Sequence, residues 1–108
     1  MKKGDIYFVN LSSGFGHEQY GFRPAVLISE SVAGLIVVVP LTKNLEALRF
    51  PYTLSIVDSS LNNLEQNSVA LIFQIKSVDK NRLRQKIGVL SSSDLKKIDL
   101  QIKKILRL

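Results

Sequence analysis

The chain is predicted to be mainly β: a small closed antiparallel barrel finished by one C-terminal amphipathic helix. Three observations predict it. Two dense apolar runs, Ala25 to Ser29 and Leu35 to Leu41, are separated only by Glu30-Ser31-Val32-Ala33-Gly34, which is too short for a crossover helix and reads as a hairpin connection. Both runs are almost continuously apolar, the pattern of strands buried on two faces rather than one. Finally, Leu95, Ile98, Ile102 and Ile105 recur at helical steps behind Ser91-Ser92-Ser93-Asp94, which offers capping oxygens.

In chain order, Ile6 to Leu11 is apolar and β-prone and reads as a first strand, bounded by Gly4-Asp5 and by Ser12-Ser13-Gly14. A long loop then runs to Pro24, which biases Arg23 toward extended geometry and so puts the arginine at the mouth of the hairpin's first strand. Thr42 stands where the second apolar run ends. Lys43 to Pro51 follows as a polar connection carrying Leu45, Leu48 and Phe50. Tyr52 to Val57 is a further strand, and Asp58 to Gln66 is a turn region rich in Asn and Ser. Ser68 to Val78 alternates so evenly that it reads as the most regular strand of all. Asp79 to Leu83 suits a helical turn, and Arg84 to Leu90 a last short strand.

A chain of 108 residues, 45% of them hydrophobic, is expected to form one domain, spanning residues 1–108, with a real core. There is no cysteine and a single histidine, so thiolate and imidazole-rich metal sites are not expected, and no cofactor is implied. The N-terminus lacks the apolar core of a signal peptide, and the longest apolar run falls far short of the ~20 residues that span a bilayer. A soluble, cytoplasmic protein is expected. Fifteen Lys and Arg against nine Asp and Glu give +6, with most of the excess in the second half, which favours a polyanionic partner such as nucleic acid over a membrane.

The chemistry is concentrated in Gly16-His17-Glu18-Gln19-Tyr20-Gly21-Phe22-Arg23-Pro24. It gathers the histidine, a carboxylate, an amide, two aromatics and an arginine in a loop pinned to a strand, where polar groups can be held that a core would reject. The plainer alternative makes the glycines and proline turn punctuation and Glu18 and Arg23 a solvated ion pair.

This stretch, together with Lys3-Gly4-Asp5-Ile6-Tyr7, Pro40-Leu41-Thr42 and Gln74-Ile75-Lys76-Ser77-Val78-Asp79-Lys80-Asn81-Arg82-Leu83, resembles the MazF/PemK (Kid) toxin family in order and spacing over essentially the whole chain. The resemblance implies the SH3-like barrel of the CcdB and PemK toxins, and the toxin half of a type II toxin-antitoxin system. It implies a metal-free endoribonuclease that cuts single-stranded RNA within short preferred sequences, acts as a homodimer and is silenced by a cognate antitoxin. That antitoxin is expected to carry an acidic, disordered C-terminal segment, which a basic surface can hold along its length.

The family's catalytic arginine and threonine fall on Arg23 and Thr42. A guanidinium and a hydroxyl suit the charge that builds on phosphorus when a ribose 2′-OH attacks it. His17, at a position where Kid-like members use histidine, is a candidate acid or base, and Glu18 and Gln19 are candidate organisers or RNA contacts. Lys43, Phe50, Lys76 and Lys80 are further candidate RNA contacts. The sequence departs from the family at Leu71 and Phe73, where Kid-like members carry an arginine and an aspartate and MazF-like members often a glutamate in place of Phe73. Any mechanism that needs a carboxylate there is in doubt. Two rivals share the fold. A gyrase poison of the CcdB type is disfavoured because the chain ends Ile105-Leu106-Arg107-Leu108, without the usual tryptophan, and a non-catalytic RNA-binding barrel would need the basic surface but not the Arg23 and Thr42 pair.

Overall fold

The structure, a computed structural model, describes residues 1–11, 16 and 18–108. Seven strands and one helix carry the fold: β1 (Asp5–Asn10), β2 (Phe22–Leu27), β3 (Leu35–Thr42), β4 (Thr53–Ile56), β5 (Ser68–Leu71), β6 (Lys76–Asp79), β7 (Leu83–Val89) and α1 (Ser92–Leu106). Single 3-10 turns occupy Leu45–Arg49, Ile72–Gln74 and Lys80–Arg82, the last of them where a helical turn was expected.

β2 and β3 form the expected antiparallel hairpin, and their dense apolar runs are buried on both faces. Val26 of β2 and Val39 and Leu41 of β3 join one core with Ile6, Ile56, Ile72 and Ile98. Ala25 and Leu27, with Ile36 and Val38, face a second core that includes Val9 and Val78. A period-2 strand with a core on each side has no solvent face, so alternation disappears from its sequence.

The closed barrel is corrected to an open path. The strands run β4-β5-β3-β2-β1-β7, with β6 added to β3, and among the described residues no pairing joins β4 to β7. The second correction concerns Ser68 to Val78, which is not one strand. Both halves pair antiparallel with β3, but between the pairs Leu41↔Ala70 and Val38↔Lys76, β3 advances three residues while its partner takes six. The surplus is the 3-10 turn Ile72–Gln74, which buries Ile72 and leaves Phe73 exposed.

α1 begins where expected. Ser91 Oγ accepts from the Asp94 amide at 3.1 Å, and the helix ends at Arg107 in the left-handed conformation with φ 56°. Ile98 is wholly buried, and Leu95, Ile102 and Ile105 pack around it, so truncation of Ile98 to alanine is expected to cost about 2–5 kcal/mol. The 58–67 turn is tied down by its own side chains. Asn62, 3% exposed, accepts from the amides of Ser59 and Leu64 and donates to the Val57 carbonyl, and Asn67 accepts from the Asp58 amide. Gly88 of β7 lies against the Asn62 backbone so closely that a Cβ there would clash with it.

Candidate active site

Arg23 and Thr42 meet through strand register. Ala25 faces Pro40 across the hairpin, and Arg23 and Thr42 each lie two residues beyond that pair, at its open end. Pro24, paired with Phe8 of β1, fixes the backbone just after the arginine. Both side chains are half-buried and line one cleft of about 400 Å³, together with Phe22, Lys43, Glu65 and Lys86.

The Arg23 Nε donates to the Tyr20 carbonyl at 3.2 Å, which holds the guanidinium at the loop. Among the described residues no carboxylate forms an ion pair with it. A guanidinium has the forked Nη edge that suits a phosphate, and Arg23 lines the cleft. Thr42 Oγ1 accepts from the Asn44 amide at 3.2 Å, which occupies one of its two lone pairs and leaves its hydroxyl proton available to donate.

Thr42 also lines a second cleft, of about 430 Å³, with Gln19, Phe50, Leu71, Phe73 and Gln74. The 3-10 turn that splits β5 from β6 delivers Phe73 here, its ring 5.8 Å from that of Phe50, and the Arg49 guanidinium lies 4.9 Å from the Phe50 centroid. Gln74 Oε1 accepts from the Gln19 amide at 2.7 Å, tying the loop to the same turn. Among the described residues the buried Gln19 Oε1 has no hydrogen-bond partner, a costly state for an acceptor.

The other sequence-derived candidates fall in different places. Lys43 lines the first cleft and Phe50 the second. Glu18 is exposed and lines neither, and the bond that orients Arg23 runs to the Tyr20 carbonyl. His17 lies outside the described residues. Lys76 faces Val38, and Lys80 follows Asp79, which faces Leu35 at the opposite end of β3, so neither belongs to either cleft. At ~3.3 Å per residue the length of β3 separates Lys80 from Thr42 by roughly 23 Å.

Sequence reasoning missed Glu65, which stands in an Asn- and Ser-rich turn with no motif around it. Its Oε2 is 2.6 Å from Lys43 Nζ, and the hydrogen bond and charge of that ammonium hold its carboxyl below the usual range. Lys86, also missed, lines the first cleft with its Nζ 3.5 Å from the buried carboxylate of Asp5. Among the described residues no group of three or more His, Asp or Glu is placed to hold a metal ion, and no helix is long and apolar enough to cross a membrane.

Residues 2–106 match the family described as PemK-like, MazF-like toxin of type II toxin-antitoxin system. The chain belongs to this family. It is 33% identical over 103 residues to the endoribonuclease MazF of Staphylococcus saprophyticus, which covers 92% of this chain and 85% of that protein. The fold is similar to that of a MazF from Deinococcus radiodurans, with a TM-score of 0.83 at 22% identity over 100% of this chain and 97% of the other. A mycobacterial endoribonuclease solved in complex with its cognate antitoxin gives a TM-score of 0.71 at 19% identity, over 100% and 94% of the two chains. In this PemK/MazF-type chain Arg23 and Thr42 line one cleft, while Leu71 and Phe73 line the neighbouring one.

Proposed function

We propose that this protein is the toxin of a type II toxin-antitoxin pair and works as an endoribonuclease on single-stranded RNA. The observation that carries the reading is the meeting of Arg23 and Thr42 in one cleft, with Lys43 and Lys86 adding positive charge. The scissile phosphate sits between the Arg23 fork and the Thr42 hydroxyl. As the neighbouring 2′-OH attacks, negative charge grows on the non-bridging oxygens, and these two donors stabilise it more in the transition state than in the ground state. The nucleophile is already part of the substrate, so the chemistry needs no activated water. The products are a 2′,3′-cyclic phosphate and a 5′-hydroxyl.

Because Thr42 belongs to both clefts, a base next to the scissile phosphate enters the second one and stacks on Phe73 or Phe50. The excess of Lys and Arg supplies sequence-independent phosphate binding. Family membership supports a homodimer in solution and a cognate antitoxin whose acidic, disordered tail competes for the basic cleft.

The test is cleavage of an unstructured RNA in EDTA, with end-group analysis. Cyclic phosphate ends are expected, and no cutting where deoxyribose replaces the ribose 5′ to the scissile phosphate. Equal cutting of the deoxy-substituted strand would refute the mechanism.

A further inference from the structure

We propose that Glu65 is the general base of this cleft, the group that accepts the 2′-OH proton; the proposal rests on the endoribonuclease reading above. Proton removal is the step for which Arg23 and Thr42 are unsuited. A guanidinium offers no lone pair at working pH, and a neutral hydroxyl such as that of Thr42 is too weakly basic to take a proton from another hydroxyl. Leu71 and Phe73 contribute no carboxylate to the neighbouring cleft.

Glu65 is the one acid among the described residues that line the cleft of Arg23 and Thr42. A carboxylate set among Arg23, Lys43 and Lys86 would repel an RNA phosphate, so its presence there calls for a role that offsets the repulsion. Its backbone is fixed rather than loose. The Asn62 side chain holds the Leu64 amide at 3.1 Å and the Asn67 side chain holds the Asp58 amide at 2.9 Å, bracketing Glu65 within one tied turn. The carboxylate is directed by Lys43, the residue after Thr42, through the 2.6 Å contact to its Oε2. The Lys43 ammonium holds its carboxyl below the usual range, so in the free protein it is ionised but a weaker proton acceptor. The side chain is 82% exposed in the free protein, so RNA lying over the cleft is what desolvates it and strengthens it as an acceptor.

The step balances as follows. The 2′ oxygen bonds to phosphorus as its proton passes to Glu65, and the bond from phosphorus to the 5′ oxygen breaks. Attacking and leaving oxygens lie in line on opposite sides of phosphorus, so the leaving oxygen takes its proton from water on the far side. Glu65 then returns its proton to solvent, and nothing is oxidised or reduced.

The experiment compares Glu65→Gln and Glu65→Ala with the wild-type protein in single-turnover cleavage of one RNA. Binding of the same RNA with deoxyribose at the cut position is measured in parallel. Loss of a general base is expected to lower the cleavage rate by about 100-fold. Binding of the deoxy strand is expected to stay equal or tighten, since a negative charge has been removed. Added formate is expected to restore at least part of the Glu65→Ala rate and to leave Glu65→Gln slow. Cleavage by Glu65→Gln within threefold of wild type would overturn the proposal. So would a faster reaction that tracks tighter binding, which would make Glu65 a competitor of the phosphate for Lys43. If the wild-type protein cuts no RNA at all, the endoribonuclease reading itself fails, a result distinct from normal cutting by both variants.

Discussion

The two clefts that share Thr42 are similar in size, about 400 and 430 Å³, and differ in the side chains they gather. The first gathers Arg23, Lys43, Lys86 and Glu65 and is built for charge. The second sets the rings of Phe50 and Phe73 and the side chain of Leu71 beside the amides of Gln19 and Gln74, with Glu46 and Arg49 also in its lining, and suits a flat, partly polar ring. The difference comes from two kinds of backbone geometry. Hairpin register brings Arg23 and Thr42 to the same end of β2 and β3, whereas surplus residues in the chain facing β3 push Phe73 out of the sheet. The lesson is that a strand register fixes the reacting groups tightly, while the turn beside it is free to vary what is recognised.

If that division is right, mutations in the two clefts should fail in different ways. The largest effect is expected for Arg23→Lys, which keeps the charge and loses the fork. The cleavage rate should fall by about 100-fold or more with RNA binding little changed. Phe73→Ala should lower kcat/KM by about tenfold, within the ~1–3 kcal/mol that one stacked base contributes. An abasic nucleotide at the stacked position should then cost the variant nothing further, and a full additional loss would separate the second cleft from base binding. A small effect on binding is expected for Lys43→Met. It should weaken binding of the deoxy strand by a few-fold and reduce the slope of log affinity against log salt by about 0.7, the share of one phosphate on a single strand. Its ion pair with Glu65 is exposed, so folding stability should barely change.

Much of this arrangement was legible in the sequence, for physical reasons that differ by element. The helix showed because Ile98, Ile102 and Ile105 have one buried face and a capping serine before them. The hairpin showed because Glu30 to Gly34 leaves no room for a crossover. The break inside Ser68 to Asp79 did not show. Ile72 stays buried within the turn, so the apolar pattern continues through a place where the backbone does not. Closure was also overestimated: two-sided burial marks a strand between two cores, and a sheet with free ends meets that condition as well as a barrel. Pro24 and the end of an apolar run placed Arg23 and Thr42 at strand ends, and the family resemblance singled them out. Glu65 carried no local signal, because only the long-range pairing of β5 with β3 brings its turn to the cleft.

The central claim is that Arg23 and Thr42 act on one phosphate, and a double-mutant cycle on the cleavage rate tests it most directly. Arg23→Ala and Thr42→Ala should each be severe. The double variant should lose less than the product of the two losses, since groups serving one transition state are not additive. Circular dichroism and thermal melting of all three variants should match the wild-type protein, so that lost rate cannot be lost fold. A folded Arg23→Ala protein that cuts RNA at close to the wild-type rate, or single losses that simply multiply in the double variant, would contradict the account.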